Sequence, residues 1–234
     1  MGVTVRELDG MAEWTGAAAL YREVFGYTEP EWGLSPRLLA ALGENAGTVI
    51  GAFTGDDMLT GFCYGFTGIE AGEVYHYSQA AVVRAGFRGA GLGRLLKYAQ
   101  ARAARRTGAR AMRWTFDPYA LRNAHFNFAV LGATGIRFLP DFYREPGTDR
   151  VLVSWDLTDS DQNQDHRRTR RWGRPGGESV LVAAGESFAA PDPQDRAWLR
   201  QELVTRFATG RRLVGVVRPE GDPGRVAYLF EEEA

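Results

Sequence analysis

Arg88-Gly89-Ala90-Gly91-Leu92-Gly93 sits between an apolar run, Ala80-Ala81-Val82-Val83, and a helical pattern over residues 92–107. A strand, a glycine-rich turn and a helix start make a site for an anion. Glycine lets backbone approach a ligand closely. The free N–H groups of a first helical turn then point at the ligand, with the positive end of the helix dipole behind them. Spacing narrows the choice of ligand. The Walker order G-x-x-x-x-G-K-[ST] is absent, and Lys97 is the only lysine in the chain. The dinucleotide order G-x-G-x-x-G has a different spacing and opens a parallel unit near a chain start, whereas this turn follows several strands. What remains is an Arg-x-x-Gly-x-Gly turn that holds a phosphate group, or a tight strand-to-helix turn that binds nothing.

The chain has 234 residues, 44% hydrophobic and 24% charged, which is ordinary globular composition and room for one large domain or one with an appendage. A net charge of -1 argues against general nucleic-acid binding, which needs a basic footprint. A single cysteine, Cys63, excludes an internal disulfide and a cysteine-rich metal site, and no metal is expected. Cys63 lies in an apolar strand pattern and reads as a small packed side chain. The first seven residues read as a strand, not as a basic segment before an apolar run. No apolar stretch is long enough to span a bilayer. The expectation is a cytoplasmic protein with no membrane partner.

Periodicity predicts strands over 3–8, 48–53, 59–66, 73–83, 111–116, 135–138 and 151–157. Helices are predicted over 11–25, from Pro36 to near Gly43, over 92–107 and around Asn123. In the third helix Leu92, Leu95, Leu96, Ala99 and Ala103 form the expected buried stripe, and Arg102, Arg105 and Arg106 a solvated face. Strands adjacent in sequence with helices interspersed give an α+β fold on a mixed sheet. The segment 159–177 is polar and carries His166-Arg167-Arg168-Thr169-Arg170-Arg171, so it reads as a linker. Order returns beyond it. Asp192-Pro193 with Asp195 starts a helix that Gly210 ends, and two strands flank a turn over 219–224. The expected organisation is a main domain over 1–158, a linker over 159–177 and a small α/β extension over 178–234. The extension is expected to pack on the main domain or on a partner subunit, and a homodimer stays open.

The strand, the Arg-x-x-Gly-x-Gly turn, the helix after it, the strand over 111–116 and a helix with Asn123, Ala124 and Leu131-Gly132-Ala133 resemble the GNAT acyltransferases. Trp114-Thr115-Phe116-Asp117-Pro118 and Arg122-Asn123-Ala124-His125-Phe126-Asn127 resemble one bacterial subgroup, which also carries a C-terminal segment like 179–230. The resemblance covers about 3–157. It implies a GNAT-like fold, with an acyl-CoA as cofactor and donor: acetyl-CoA by default, succinyl-CoA as the alternative. A small-molecule amine, such as an amino acid or specialised metabolite, would be acylated directly. The resemblance also implies that Ala81, Val82 and Val83 offer backbone groups to the pantetheine arm, from a strand that carries a bulge and splays from its neighbour. Arg88, Gly89, Ala90, Gly91, Leu92, Gly93 and Arg94 would hold the diphosphate. Asn123 would contact the cofactor, cap its own helix, or both. A dicarboxylic acyl chain would want an arginine, for which Arg84, Arg122 and Arg137 stand available.

A free amine is mostly protonated at neutral pH, so a general base must take its proton. Candidates are Glu73, His76, Asp117 and His125. Histidine suits this pH range, and Asp117 before Pro118 also suits a turn. Strand alternation places Tyr75, Tyr77 and Gln79 on one face and His76 and Ser78 on the other. Many GNAT enzymes use a tyrosine to protonate the departing thiolate, and that position is Phe128. Tyr143 or another donor must substitute, or the thiolate leaves unaided. Ala85 stands where a proline is common. Two alternatives to small-molecule acylation remain: a domain that senses acyl-CoA without turnover, and acylation of a protein or an aminoacyl-RNA.

Overall fold

The computed structural model describes residues 2–158, 178–183, 192–217 and 225–232. The expected linker over 159–177 and the turn over 219–224 lie outside the described residues. The chain forms two compact units, Met1–Met112 and Arg113–Ala234. Composition shifts later, over 159–177, so packing and composition mark different divisions.

The first unit contains β1 (Val3–Glu7), α1 (Gly10–Phe25), α2 (Pro36–Glu44), β2 (Thr48–Thr54), β3 (Leu59–Glu70), β4 (Glu73–Val83) and α3 (Leu92–Arg106). Its strands run in the order β1-β2-β3-β4, each antiparallel to the next. Local signals set the helix ends. Gly26 closes α1 in the left-handed conformation, with its N–H donating to Arg22 O, and Pro36 opens α2. Leu20, Leu39, Val49, Phe62, Tyr64 and Val82 fill the layer between the sheet and α1 and α2. Ile50, Cys63, Leu92, Leu96 and Ala99 fill the layer under α3.

Two features of this unit depart from simple periodicity. Tyr64 pairs with Ala80 but Gly65 pairs with Ser78, so Gln79 is the extra residue of a bulge in β4. Side chains alternate with a period of two, so one inserted residue exchanges the faces. Before the bulge Ser78 is buried beneath α3 in contact with Gln100 and Lys97, and His76 is buried against Thr48; after it Val82 joins the α1 layer. The second departure is in α3. Leu92, Leu96, Ala99 and Ala103 are buried as expected, but Leu95 is 49% exposed while Lys97 and Gln100 are buried. The helix is rolled so that two polar side chains meet the polar part of the sheet.

The second unit holds the rest of β5 (Ala111–Phe116), then α4 (Leu121–Ala124), β6 (Thr134–Leu139), β7 (Arg150–Asp156), β8 (Glu178–Ala183), α5 (Pro193–Ala208), β9 (Arg211–Val217) and β10 (Arg225–Glu232). Its strand order is β5-β7-β6-β9-β10-β8. Instead of one α-helix around Asn123, α4 widens into a π-turn over His125–Val130, where Leu131 N–H donates to Phe126 O at 3.0 Å. The C-terminal segment completes this unit's sheet, because β9 pairs with β6 at Gly135 and Leu213. A Cβ on Gly135 would lie 2.8 Å from Leu213 Cβ, so only glycine allows that approach. The cap of α5 forms as its sequence predicts: Asp192 accepts from Gln194 N–H at 2.8 Å and Pro193 starts the helix.

Candidate cofactor site

The turn between β4 and α3 is built by three local devices. Arg84 N–H donates to Thr60 O at 2.8 Å, ending β4. A short 3₁₀ turn, Ala85–Phe87, follows, and Phe87 tucks into the α3 layer. Gly89 (φ 86°) and Gly91 (φ 78°) then take left-handed conformations that lead into α3. Beyond the chain neighbours, no atom lies within 4 Å of where a Cβ would stand on either glycine, so both positions face open space. Arg94 and Leu95 donate to Gly91 O, at 3.0 and 3.1 Å. The N–H groups of Gly89, Ala90, Gly91, Leu92 and Gly93 meet no acceptor among the described residues. Arg88 is exposed, and its Nε donates to Val83 O at 3.1 Å, which lays the guanidinium beside the strand end. Five unpaired amides, one arginine and a helix N-terminus fit a diphosphate. Ala81 is exposed on the adjoining strand, Val82 is buried and Val83 half-buried.

No family model matches the sequence, and no curated protein does. Solved structures do match. An acetyltransferase of the GNAT family from Streptococcus pneumoniae superposes with a TM-score of 0.53 at 17% identity, over 65% of this chain and 98% of that one. An aminoglycoside 6'-N-acetyltransferase complexed with coenzyme A gives 0.53 at 15% identity, over 67% and 98%. Nourseothricin acetyltransferase gives 0.51 at 15%, over 67% and 99%. The chain has the GNAT fold.

The other candidate residues divide between the two units. Glu73 begins β4 and is exposed beside Arg110, at 3.7 Å. It lies six residues, or about 20 Å of extended strand, from the bulge at Gln79. His76 is fully buried, and burial together with the nearby Lys97 charge pushes its imidazole down to about 4, so it is neutral at pH 7. Cys63 is also buried, its thiol pushed up to about 12, as befits a packed side chain rather than a nucleophile.

The remaining candidates belong to the second unit. Asp117 shapes the turn after β5, accepting from Tyr119 N–H at 2.8 Å. Asn123 and His125 are exposed on α4 and at the start of the π-turn. Tyr143 is 54% exposed, against Phe142 and under Arg150. Phe128, at the position of the usual tyrosine, is buried with its ring against Phe116 and Tyr228. The nearby Tyr228 hydroxyl donates to Pro118 O at 2.6 Å, and burial drives its ionisation far above the ordinary range. Loop residues 139–146 border a concavity of about 640 Å³ lined by Pro140, Asp141 and Phe142. No helix among the described residues is long and apolar enough to cross a membrane.

Sequence reasoning missed one cluster in the first unit. Lys97 Nζ donates to Ser78 Oγ at 2.7 Å, Ser78 Oγ donates to Gln100 Oε1 at 2.7 Å, and Gln100 Nε2 donates to Thr48 Oγ1 at 3.0 Å. Thr48 Oγ1 lies 2.9 Å from His76 Nε2. The signal was present: one lysine among 28 basic residues, with a glutamine three positions on, on a helix next to a glycine turn.

Proposed function

We propose that the protein is an acyl-CoA-dependent N-acyltransferase that uses acetyl-CoA as donor and acylates a small-molecule amine. The observation that carries this reading is the open, unpaired amide turn at Gly89 and Gly91, entered from a bulged strand and leading into α3. The amides and Arg88 supply the charge complement of a diphosphate, and this reading assigns the stretch of β4 around the exposed Ala81 to an amide-bearing pantetheine arm. The solved structures that share the fold include acetyltransferases, one with coenzyme A in place. A bound acyl-CoA supplies a thioester carbonyl, which the neutral amine attacks. In this reading a backbone N–H of β4 near Val82 would stabilise the developing oxyanion. For the proton, Asp117 is engaged in its turn and Glu73 stands far along β4 from the bulge. His125 and Tyr143 are exposed, and are the groups to substitute first. Succinyl-CoA is the alternative donor. Arg84 already pairs with Glu23 at 2.7 Å, so Arg122, exposed on α4, is the arginine to substitute first for a second carboxylate.

The buried Phe128 favours a second reading, an acyl-CoA sensor, since it has no proton for the leaving thiolate. The two separate in one experiment. Calorimetric titration with coenzyme A is expected to show saturable binding, and thiol release from acetyl- and succinyl-CoA is then measured across a panel of amines. Release with any amine establishes the transferase. Binding without release establishes the sensor, and absence of binding removes both.

A further inference from the structure

The buried chain from Lys97 to His76 has a direction. Each hydroxyl and amide donates onward: Lys97 to Ser78, Ser78 to Gln100, Gln100 to Thr48. Thr48 has accepted from Gln100, so its own proton is free for His76 Nε2. Two bonds join α3 to β4 at Ser78, one from Lys97 and one to Gln100, and Lys97 is the charged end of the chain of bonds. An apolar side chain at position 97 would avoid the desolvation that a buried amine suffers. Arginine supplies the rest of the basic residues, yet it cannot shed its proton on burial, whereas lysine can. The one lysine of the chain is buried with its amine bonded to Ser78.

Ser78, the acceptor of the Lys97 bond, immediately precedes Gln79, the extra residue of the β4 bulge. Opposite stands Gly65, where a Cβ would fall 2.3 Å from Tyr77 O and 2.6 Å from His76 Nε2, so β3 presses directly against the same point. The bulge is flanked by Gly65 on the neighbouring strand and bonded by Lys97 and Gln100 from α3. It fixes which way the strand beyond it faces, including Ala81. The helix that grips it is the one whose first turn carries the unpaired amides.

We propose that Lys97 is a positioning residue: with Gln100 it ties α3 through Ser78 to the β4 bulge, and so holds the strand around Ala81 in the orientation that takes a pantetheine arm. This rests on the acyl-CoA reading above. Lys97 itself touches no cofactor; it sets the angle between the two walls of the site.

Two ligands separate this role from general support of the fold. Coenzyme A meets both walls, whereas 3'-phosphoadenosine 5'-diphosphate meets only the amide turn. Binding of each is measured by calorimetry for the full-length wild type, Lys97→Met and Ser78→Ala. In both variants the nucleotide is expected to bind within about twofold of wild type while coenzyme A weakens about tenfold or more, the equivalent of one lost contact. The melting temperature of Lys97→Met is expected not to fall. Unchanged coenzyme A affinity in both variants overturns the proposal. So does equal weakening of both ligands, which marks a merely structural role. Should Lys97→Met fail to fold, Ser78→Ala alone decides. A wild type that binds neither ligand refutes the acyl-CoA reading itself, a result distinct from failure of the variants.

Discussion

Removing the ammonium of Lys97 should make the protein more stable. Burial pushes this amine from its ordinary 10.5 down to about 7. The unfolded chain keeps its lysine proton up to the ordinary value, and the folded chain gives it up near neutrality. Between those limits the unfolded state binds more protons, so stability rises with pH and is lost again as pH falls toward 7. At about 1.4 kcal/mol per pH unit, the penalty at pH 7 comes to about 4 kcal/mol, and about 2 kcal/mol of it is relieved by pH 9. Methionine matches the length and flexibility of lysine without the charge. Losing the bond to Ser78 costs about 1 kcal/mol, because Ser78 still has Gln100. The net expectation for Lys97→Met is a gain of about 3 kcal/mol at pH 7, near 6–12 °C in melting temperature for a chain of this size. The variant's stability should also flatten between pH 7 and 9. Cys63 and His76 are the titratable groups that face Lys97 from β3 and β4, and neither ionises in that window. Because the chain has one lysine, protein grown on lysine labelled with carbon-13 at Cε gives a single resonance whose titration reads Lys97 directly. A midpoint above 9, or a Lys97→Met protein less stable than wild type at pH 7, would refute the reasoning.

Other substitutions test the site and the frame. Gly91→Leu forces a side chain into a left-handed residue, at about 1–2 kcal/mol, but into open space; the protein should fold and melt a few degrees lower while coenzyme A binding, followed by calorimetry, is lost. Tyr228→Phe leaves Pro118 O without its buried donor, and urea unfolding should show a loss of about 1–2 kcal/mol. Gly65→Ala places a methyl against Tyr77 O and should destabilise by about 2 kcal/mol or more, read in the same assay, with Gly68→Ala milder because its nearest neighbour is the movable Tyr75 ring.

The strand β4, the turn after it, the start of α3, β5 and the cap of α5 were all legible in the sequence. Each is written in residues a few positions apart: a glycine free to turn left-handed, a proline at a first helical position, an apolar stripe of the right period. The order of these pieces also carried the resemblance to GNAT acyltransferases, which the fold now bears out. The bulge at Gln79 was expected only through that resemblance, and its place was unknown until β3 and β4 were paired. Along α3, Lys97 and Gln100 looked like ordinary polar positions, and Leu95 like core. Helical period alone fixes which residues share a face; what lies opposite decides whether that face is wet. Thr48, Ser78 and His76 reach it from two strands up to 52 residues away from Gln100 in sequence, and no local rule connects them. Phe128 likewise could be read only as a missing hydroxyl, while the wide turn that buries it against Phe116 and Tyr228 follows from packing with a strand about a hundred residues later. Short-range chemistry therefore determined the elements and the glycine turn before α3. Long-range pairing decided the bulge, the roll of α3 and the burial of the chain's one lysine, because burial depends on which surfaces meet.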